Sequence, residues 1–156
     1  MEYQLQKGTV AFVTEPTPRW IFTSPNRAEG KDLILFGDAV ANLVKYLPEA
    51  LTFAQALQIN DEEPANQNDV FEKTLSVFSG KGENGQILKF KNCLSVNVFN
   101  GFVNLWIKRV FFAEDTQTYI ACRGSFQICL TDETDALVEF LNRHLVAVQE
   151  AKKLKI

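Results

Sequence analysis

The sequence predicts an α+β fold of two strand-rich repeats, each ending in a helix, and three observations carry that expectation. Short apolar runs alternate at period two between Gly and Pro punctuation, as half-buried antiparallel strands require. Two longer stretches, Asp38–Ile59 and Asp132–Leu154, carry their apolar residues at helical spacing. The ends of the two halves also repeat: LILFGDAVANLVKYL (33–47) lies over QICLTDETDALVEFL (127–141) at a constant offset of 94. Ile34/Ile128, Asp38/Asp132, Leu43/Leu137, Val44/Val138 and Leu47/Leu141 are identical, and Tyr46/Phe140 is similar. Both copies read as strand, cap and amphipathic helix in that order. The expected layout is a single domain over 1–156, with repeat one at 1–59, an acidic linker at 60–70 and repeat two at 71–156.

In chain order, GTVAFVT and RWIFTS are strands separated by EPTP, and KDLILF after the polar SPNRAEG loop is a third. Asp38 is a good N-cap for a helix through Leu47. Pro48 either ends that helix or is an early residue of a second one, EALTFAQALQI. Past the proline-containing acidic linker come the strands KTLSVFS and QILKFK around the loop GKGENG. The hairpin LSVNVFNGFVNLWIK is next, turning on Asn100-Gly101, then the long run TYIACRGSFQICL. The final helix starts near Thr131 or Asp132. Its Leu137, Leu141, Leu145 and Val148 recur at i, i+4, i+8 and i+11, with Phe140 and Leu154 extending the stripe.

With 46% apolar and 22% charged residues, the composition is that of a soluble globular protein. No apolar run is long enough to span a bilayer, and the N-terminus shows neither a signal nor a transit pattern. Cys93, Cys122 and Cys129 have no metal-ligand spacing, and their odd number argues against a disulfide framework. The expectation is an intracellular, reducing compartment: a cytoplasmic or mature organellar chain, not a secreted one. The net charge of −3 hides an uneven distribution. Asp61–Glu72 holds five acids and no base, leaving 16 bases against 14 acids elsewhere. An acidic chain can carry a basic face.

The hairpin raises the functional question. Leu94, Val96 and Val98 share one face with Val103, Leu105 and Ile107, the evident core face. The opposite face carries Phe99, Phe102 and Trp106 beside Lys108. Period two adds Phe78, Lys89 and Lys91 to that outward face, with Tyr119 and Arg123 on the last strand. Trp20 and Phe22 are candidates in the first repeat, where Ile21 competes with them for the core. Aromatic rings on which bases stack, interleaved with cations that track phosphates, suit a single-stranded nucleic acid. A second core against helices or another subunit is the competing reading.

Taken together, these segments resemble the Whirly family of single-stranded-DNA-binding proteins. KGTVAFVTEPTP is similar to that family's opening KGKAAL motif, with Lys7, Gly8 and Ala11 matching and Thr9 in place of the second lysine. FEKTLSVFSGKGENGQILKF resembles the strands that open its second repeat. SVNVFNGFVNLWIKRVFF and RGSFQICLTDETDALVEFL look like the related transcriptional positive-cofactor fold. The resemblance implies two antiparallel four-stranded sheets packed around helices, a homotetramer through those helices, and a role in transcription or DNA maintenance. It also implies nucleic-acid contacts at Lys7, Phe99 and Lys108, a position basic in that family at Phe102, and an aromatic contact at Phe111.

Other signals carry less. GKGENG contains a GxGxxG string but opens no helix, so a hairpin loop is the better reading. A cold-shock echo in KGTV fails because helices stand where strands should. His144 reads as packing or capping a surface in the last helix, and KKLKI as cations at a helix C-terminus. No nucleophile–base pair or carboxylate pair stands out. The expectation is therefore a non-catalytic protein without cofactor or metal that binds single-stranded DNA with little sequence preference. An RNA-binding or annealing protein of the same fold and an oligomeric protein-binding scaffold are the alternatives.

Overall fold

The computed structural model describes residues 1–25, 32–60, 67–82, 84–122 and 125–154. Four strands, β1 (Glu2–Leu5), β2 (Gly8–Val13), β3 (Arg19–Thr23) and β4 (Leu33–Phe36), make an antiparallel sheet in chain order, and helix α1 (Gly37–Asn60) comes after them. The second sheet joins β5 (Gln67–Lys81), β6 (Ile87–Phe99) and β7 (Phe102–Ala113) in order. Both β8 (Thr118–Ala121) and β9 (Phe126–Ile128) then pair with β7, and helix α2 (Glu133–Leu154) closes the chain. The molecule is α+β, with each strand-rich half ending in a helix.

Three expectations change. The run 118–130 is two strands, which makes the second sheet five-stranded rather than four-stranded. Ala121 pairs with Val110 and Phe126 with Ile107, so more residues lie between them than on β7, and one strand cannot keep both registers. Helix α1 runs unbroken through Pro48. A proline inside a helix costs about 3 kcal/mol, but Leu47, Ala50 and Ala54 are fully buried on either side of it. One buried leucine alone offsets much of that, at roughly 1.5–3 kcal/mol. The linker is also shorter than expected, because β5 begins at Gln67. Val70 and Phe71 pack on the core there, Phe71 with its ring 5.3 Å from Phe53. Residues 61–66 of the linker lie outside the described residues.

Strand β1 has no clear signature in the sequence, since EYQL offers only two apolar positions. Its Tyr3 and Leu5 nonetheless face inward, Tyr3 with its ring 5.5 Å from Phe140 of α2. The turn into β2 needs Gly8: its φ is 152°, and a Cβ there would lie 2.2 Å from the Thr23 carbonyl oxygen and 2.8 Å from the Phe126 ring.

The core joins both halves. Trp20, Phe22, Leu33 and Leu35 of the first sheet share one cluster with Leu94, Val96, Leu105 and Ile107 of the second. Phe22 and Phe126 meet edge to face, 5.3 Å apart. The helices are exchanged between halves: α1 lies on β5, β6 and β7, and α2 lies on α1 and β1. On α2, His144 stacks on Phe12 of β2 at 4.5 Å. Burial there lowers the His144 pKa, helped by the nearby Arg143 and N-terminal charges.

Candidate nucleic-acid interface

The register of the second sheet decides which side chains share a face. Asn97 pairs with Asn104, Ser95 with Trp106, Cys93 with Lys108 and Phe99 with Phe102, all on the side away from the helices. Lys91 opposite Val110, Lys89 opposite Ser79 and Tyr119 beside Phe112 continue that side. The hairpin turn that sets this parity is built as the Asn-Gly pair requires, with φ of 52° at Asn100 and 80° at Gly101. Lys89, Lys91, Phe99, Phe102, Trp106, Lys108 and Tyr119 therefore stand together on one open surface.

Exposure grades along it. Phe99 and Phe102 are 62% and 71% exposed and flank the turn, and Tyr119 is 44% exposed at the far end. Trp106 is half-buried between them. Lys91 Nζ lies 4.1 Å from the centroid of the Tyr119 ring and donates to Glu72 Oε1 at 3.0 Å. Burial works to lower the Lys91 pKa, but the Glu72 hydrogen bond and nearby charges outweigh it, so the net direction is upward. The cation is permanent at neutral pH and already has one anionic partner. Cys93, small and shaded by its neighbours, has its thiol pushed up to about 12 by burial and by Glu72, so it is no nucleophile.

Near the turn the surface becomes amide-rich. Gln127 of β9 donates from Nε2 to Asn104 Oδ1 at 3.1 Å, and Asn104 donates from Nδ2 to Asn97 Oδ1 at 3.3 Å. Beside this row is a groove of about 500 Å³ lined by Phe102, Asn104 and Gln127 together with Gln6 and Lys7 of the β1–β2 turn. That turn is held by the Gln6 N–H, which donates to the Glu133 carboxylate at the start of α2. Lys7 and Phe102 come together here, although 95 residues separate them in the chain.

Other sequence-predicted positions do not join this surface. Trp20 and Phe22 are core residues, 0% and 1% exposed. Arg19 and Thr23 need water and share a face with Ile21, so Ile21 turns outward and the two aromatics turn in. Phe78 is on the helix side of the second sheet, because a bulge between Thr74 and Ser76 adds one residue and reverses the parity of the rest of β5. The Leu75 carbonyl at that bulge accepts from Asn42 Nδ2 of α1 at 2.8 Å. Phe78 stacks on Phe90 at 5.3 Å, and Phe111 continues the row on the same side, away from Lys108. Arg109 lies against this row, 5.0 Å from the Phe78 ring centroid, and donates to Asn92 Oδ1 and the Ile34 carbonyl. Arg123 lies outside the described residues.

Sequence reasoning missed Gln127 in the amide row and the exposed Val77 and Ile87 at the Lys89 end of the surface. The pairing of Asn97 with Asn104 was legible from the hairpin, whereas Gln127 needed the register of β9. No family model matches this chain, and neither a curated protein nor a solved structure does. Among the described residues no group of three or more His, Cys, Asp or Glu side chains could hold a metal ion. No helix among them is long and apolar enough to cross a membrane.

Proposed function

We propose that this chain binds single-stranded DNA across the outer face of its second sheet, without catalysis, in the manner of the Whirly proteins it resembles. The observation that carries the reading is the single surface on which Phe99, Phe102, Trp106 and Tyr119 alternate with Lys89, Lys91 and Lys108. Stacking contributes roughly 1–3 kcal/mol per base and tolerates any base, while the lysines meet the phosphates. The tilt of the surface towards amides and cations separates it from a dry second core. A protein partner would favour an apolar centre with few charges. Lys7 extends the cationic track past the hairpin turn.

The proposal includes a homotetramer built through the helices. Its support is narrower than the helix sequence suggests, because Leu137, Phe140, Leu141 and Leu145 are already buried within the chain. Val146 and Leu154 of α2 are what remains exposed for a partner. Sedimentation at micromolar concentration tests it, and a monomeric mass overturns it.

Binding is tested by titrating labelled oligo(dT), oligo(U) and duplex DNA at two salt concentrations. Oligo(dT) is expected to bind well above duplex, with affinity falling as salt rises. Equal affinity for duplex and single strand would remove the stacking argument, and oligo(U) bound far above oligo(dT) would move the function to RNA.

A further inference from the structure

The second sheet leaves one long edge open. In its strand order β5 stands first, and among the described residues it pairs only with β6. Natural sheets protect their edges by keeping them short or by placing prolines and charges on them. The strand β5 runs from Gln67 to Lys81, and its stretch Ser76–Gly80 holds neither a proline nor a charge. Val77 is 67% exposed there, and Phe78 is exposed beside it. The main chain of this stretch has a definite phase. The Gly82 N–H donates to the Gln86 carbonyl at 2.8 Å, and antiparallel strands alternate the direction of their main-chain groups. Ser76, Phe78 and Gly80 therefore bond towards β6, while Val77, Ser79 and Lys81 direct their N–H and carbonyl groups away from the sheet.

The side chains of that edge are complementary to themselves. Leu75 is the extra residue of the bulge, so Glu72 and Thr74 before it share the outer face with Val77, Ser79 and Lys81 after it. Consider a second copy laid antiparallel along the edge, Val77 against Val77. With Leu75 passed over, Thr74 of each copy faces Ser79 of the other, and Glu72 of each faces Lys81 of the other. Each hydroxyl meets a hydroxyl and each acid meets a base, twice over, because a two-fold axis repeats every contact. Sliding the pair by two residues, the smallest shift that keeps the faces, loses both acid–base pairs. Leu75 stays out of the new ladder, and its carbonyl already accepts from Asn42 Nδ2 at 2.8 Å. We propose that β5 is a two-fold seam through which two copies of this chain join their second sheets edge to edge. The pattern reads the same from either direction, which is what a strand meeting itself requires. This seam is separate from the helix contact and independent of the single-strand reading.

Val77→Pro tests the seam, because it removes an N–H that points away from the sheet and leaves the bonds to β6 in place. Wild type is expected to sediment as an assembly at micromolar concentration, and Val77→Pro at half its mass. A tetramer held by helices alone would keep its mass in that variant, which overturns the seam, as does a monomeric wild type. The register is tested by air oxidation of cysteine variants. Facing residues of an antiparallel pair lie about 5.5 Å apart at Cα, within reach of a disulfide. In this register Ser79 lies more than about 10 Å from its own copy, out of reach. Val77→Cys is expected to give a covalent dimer on a non-reducing gel above the wild-type background, and Ser79→Cys is not. Crosslinking in neither variant, or equally in both, overturns the proposal. Should Val77→Pro fail to fold, the cysteine variants decide.

Discussion

The two sheets grow from similar strand patterns yet show opposite outer faces. In β3 the aromatics Trp20 and Phe22 turn inward and leave Arg19, Ile21 and Thr23 outside. In β7 the aromatics Phe102 and Trp106 turn outward and leave Val103, Leu105 and Ile107 inside. Aromatic content is the same kind of signal in both strands and does not decide the facing. The polar residues sharing parity with each set decide it. Asn104 and Lys108 draw Trp106 to the surface, whereas Arg19 and Thr23 occupy the solvent side and push Trp20 in. A charge inside an apolar core costs far more than an exposed ring, so the charge chooses first.

That contrast can be broken or sharpened by experiment. The largest effect is expected for Trp20→Ala, which should cost about 3–5 kcal/mol of folding stability in a denaturant titration, as for other buried aromatics. Its folded fraction should still bind oligo(dT). Trp106→Ala should do the reverse, losing roughly 1–3 kcal/mol of single-strand affinity with stability little changed. If Trp106→Ala instead melts far below wild type while its folded fraction binds normally, the outer face is a packing surface. Smaller changes come from charge. Lys89→Gln should flatten the salt dependence of binding by about 0.7 in slope. Glu72→Gln should act with the opposite sign, releasing Lys91 from its present partner and steepening the dependence. An unchanged slope in both would mean that these lysines only solvate the sheet.

The smallest effect belongs to the first sheet's contact with α2. His144 has its pKa lowered by burial, so the unfolded chain binds protons more readily than the folded one. Its contribution is fully present above the ordinary histidine range and is lost as pH falls through that range towards the lowered value. The melting temperature should therefore drop on acidification across that window. His144→Phe should reduce the drop and leave oligo(dT) binding unaltered.

Much of this was legible in the sequence, for identifiable reasons. The hairpin's facing came from strict alternation and the Asn-Gly turn. The helix equivalence also holds: Leu43 and Leu137 are fully buried, as are Leu47 and Leu141. The strand part of the repeat fails, because Ile34 faces outward while Ile128 is buried. Periods of two and 3.6 tolerate different slips, and one residue reverses a strand but only rotates a helix. The same sensitivity misplaced Phe78, since nothing in LSVF announces a bulge whose carbonyl is held by Asn42 from a distant helix. The groove was invisible for another reason. It joins Lys7 to Gln127, and a single sequence records no proximity between its ends.

The exchange of helices between the halves has a consequence for how the chain folds. Helix α1 is complete by Asn60, but the strands it covers span residues 67–113 and are made later. Conversely, Tyr3 and Phe12 wait for Phe140 and His144 at the far end of the chain. Neither half can bury its own apolar surface alone, so local nuclei gain little until distant partners arrive. Loop-closure entropy then comes before the reward of packing, which is expected to slow folding. During synthesis on the ribosome the first sheet would emerge before the second-sheet strands that share its core, and Tyr3 and Phe12 would lack their α2 partners until the last helix followed.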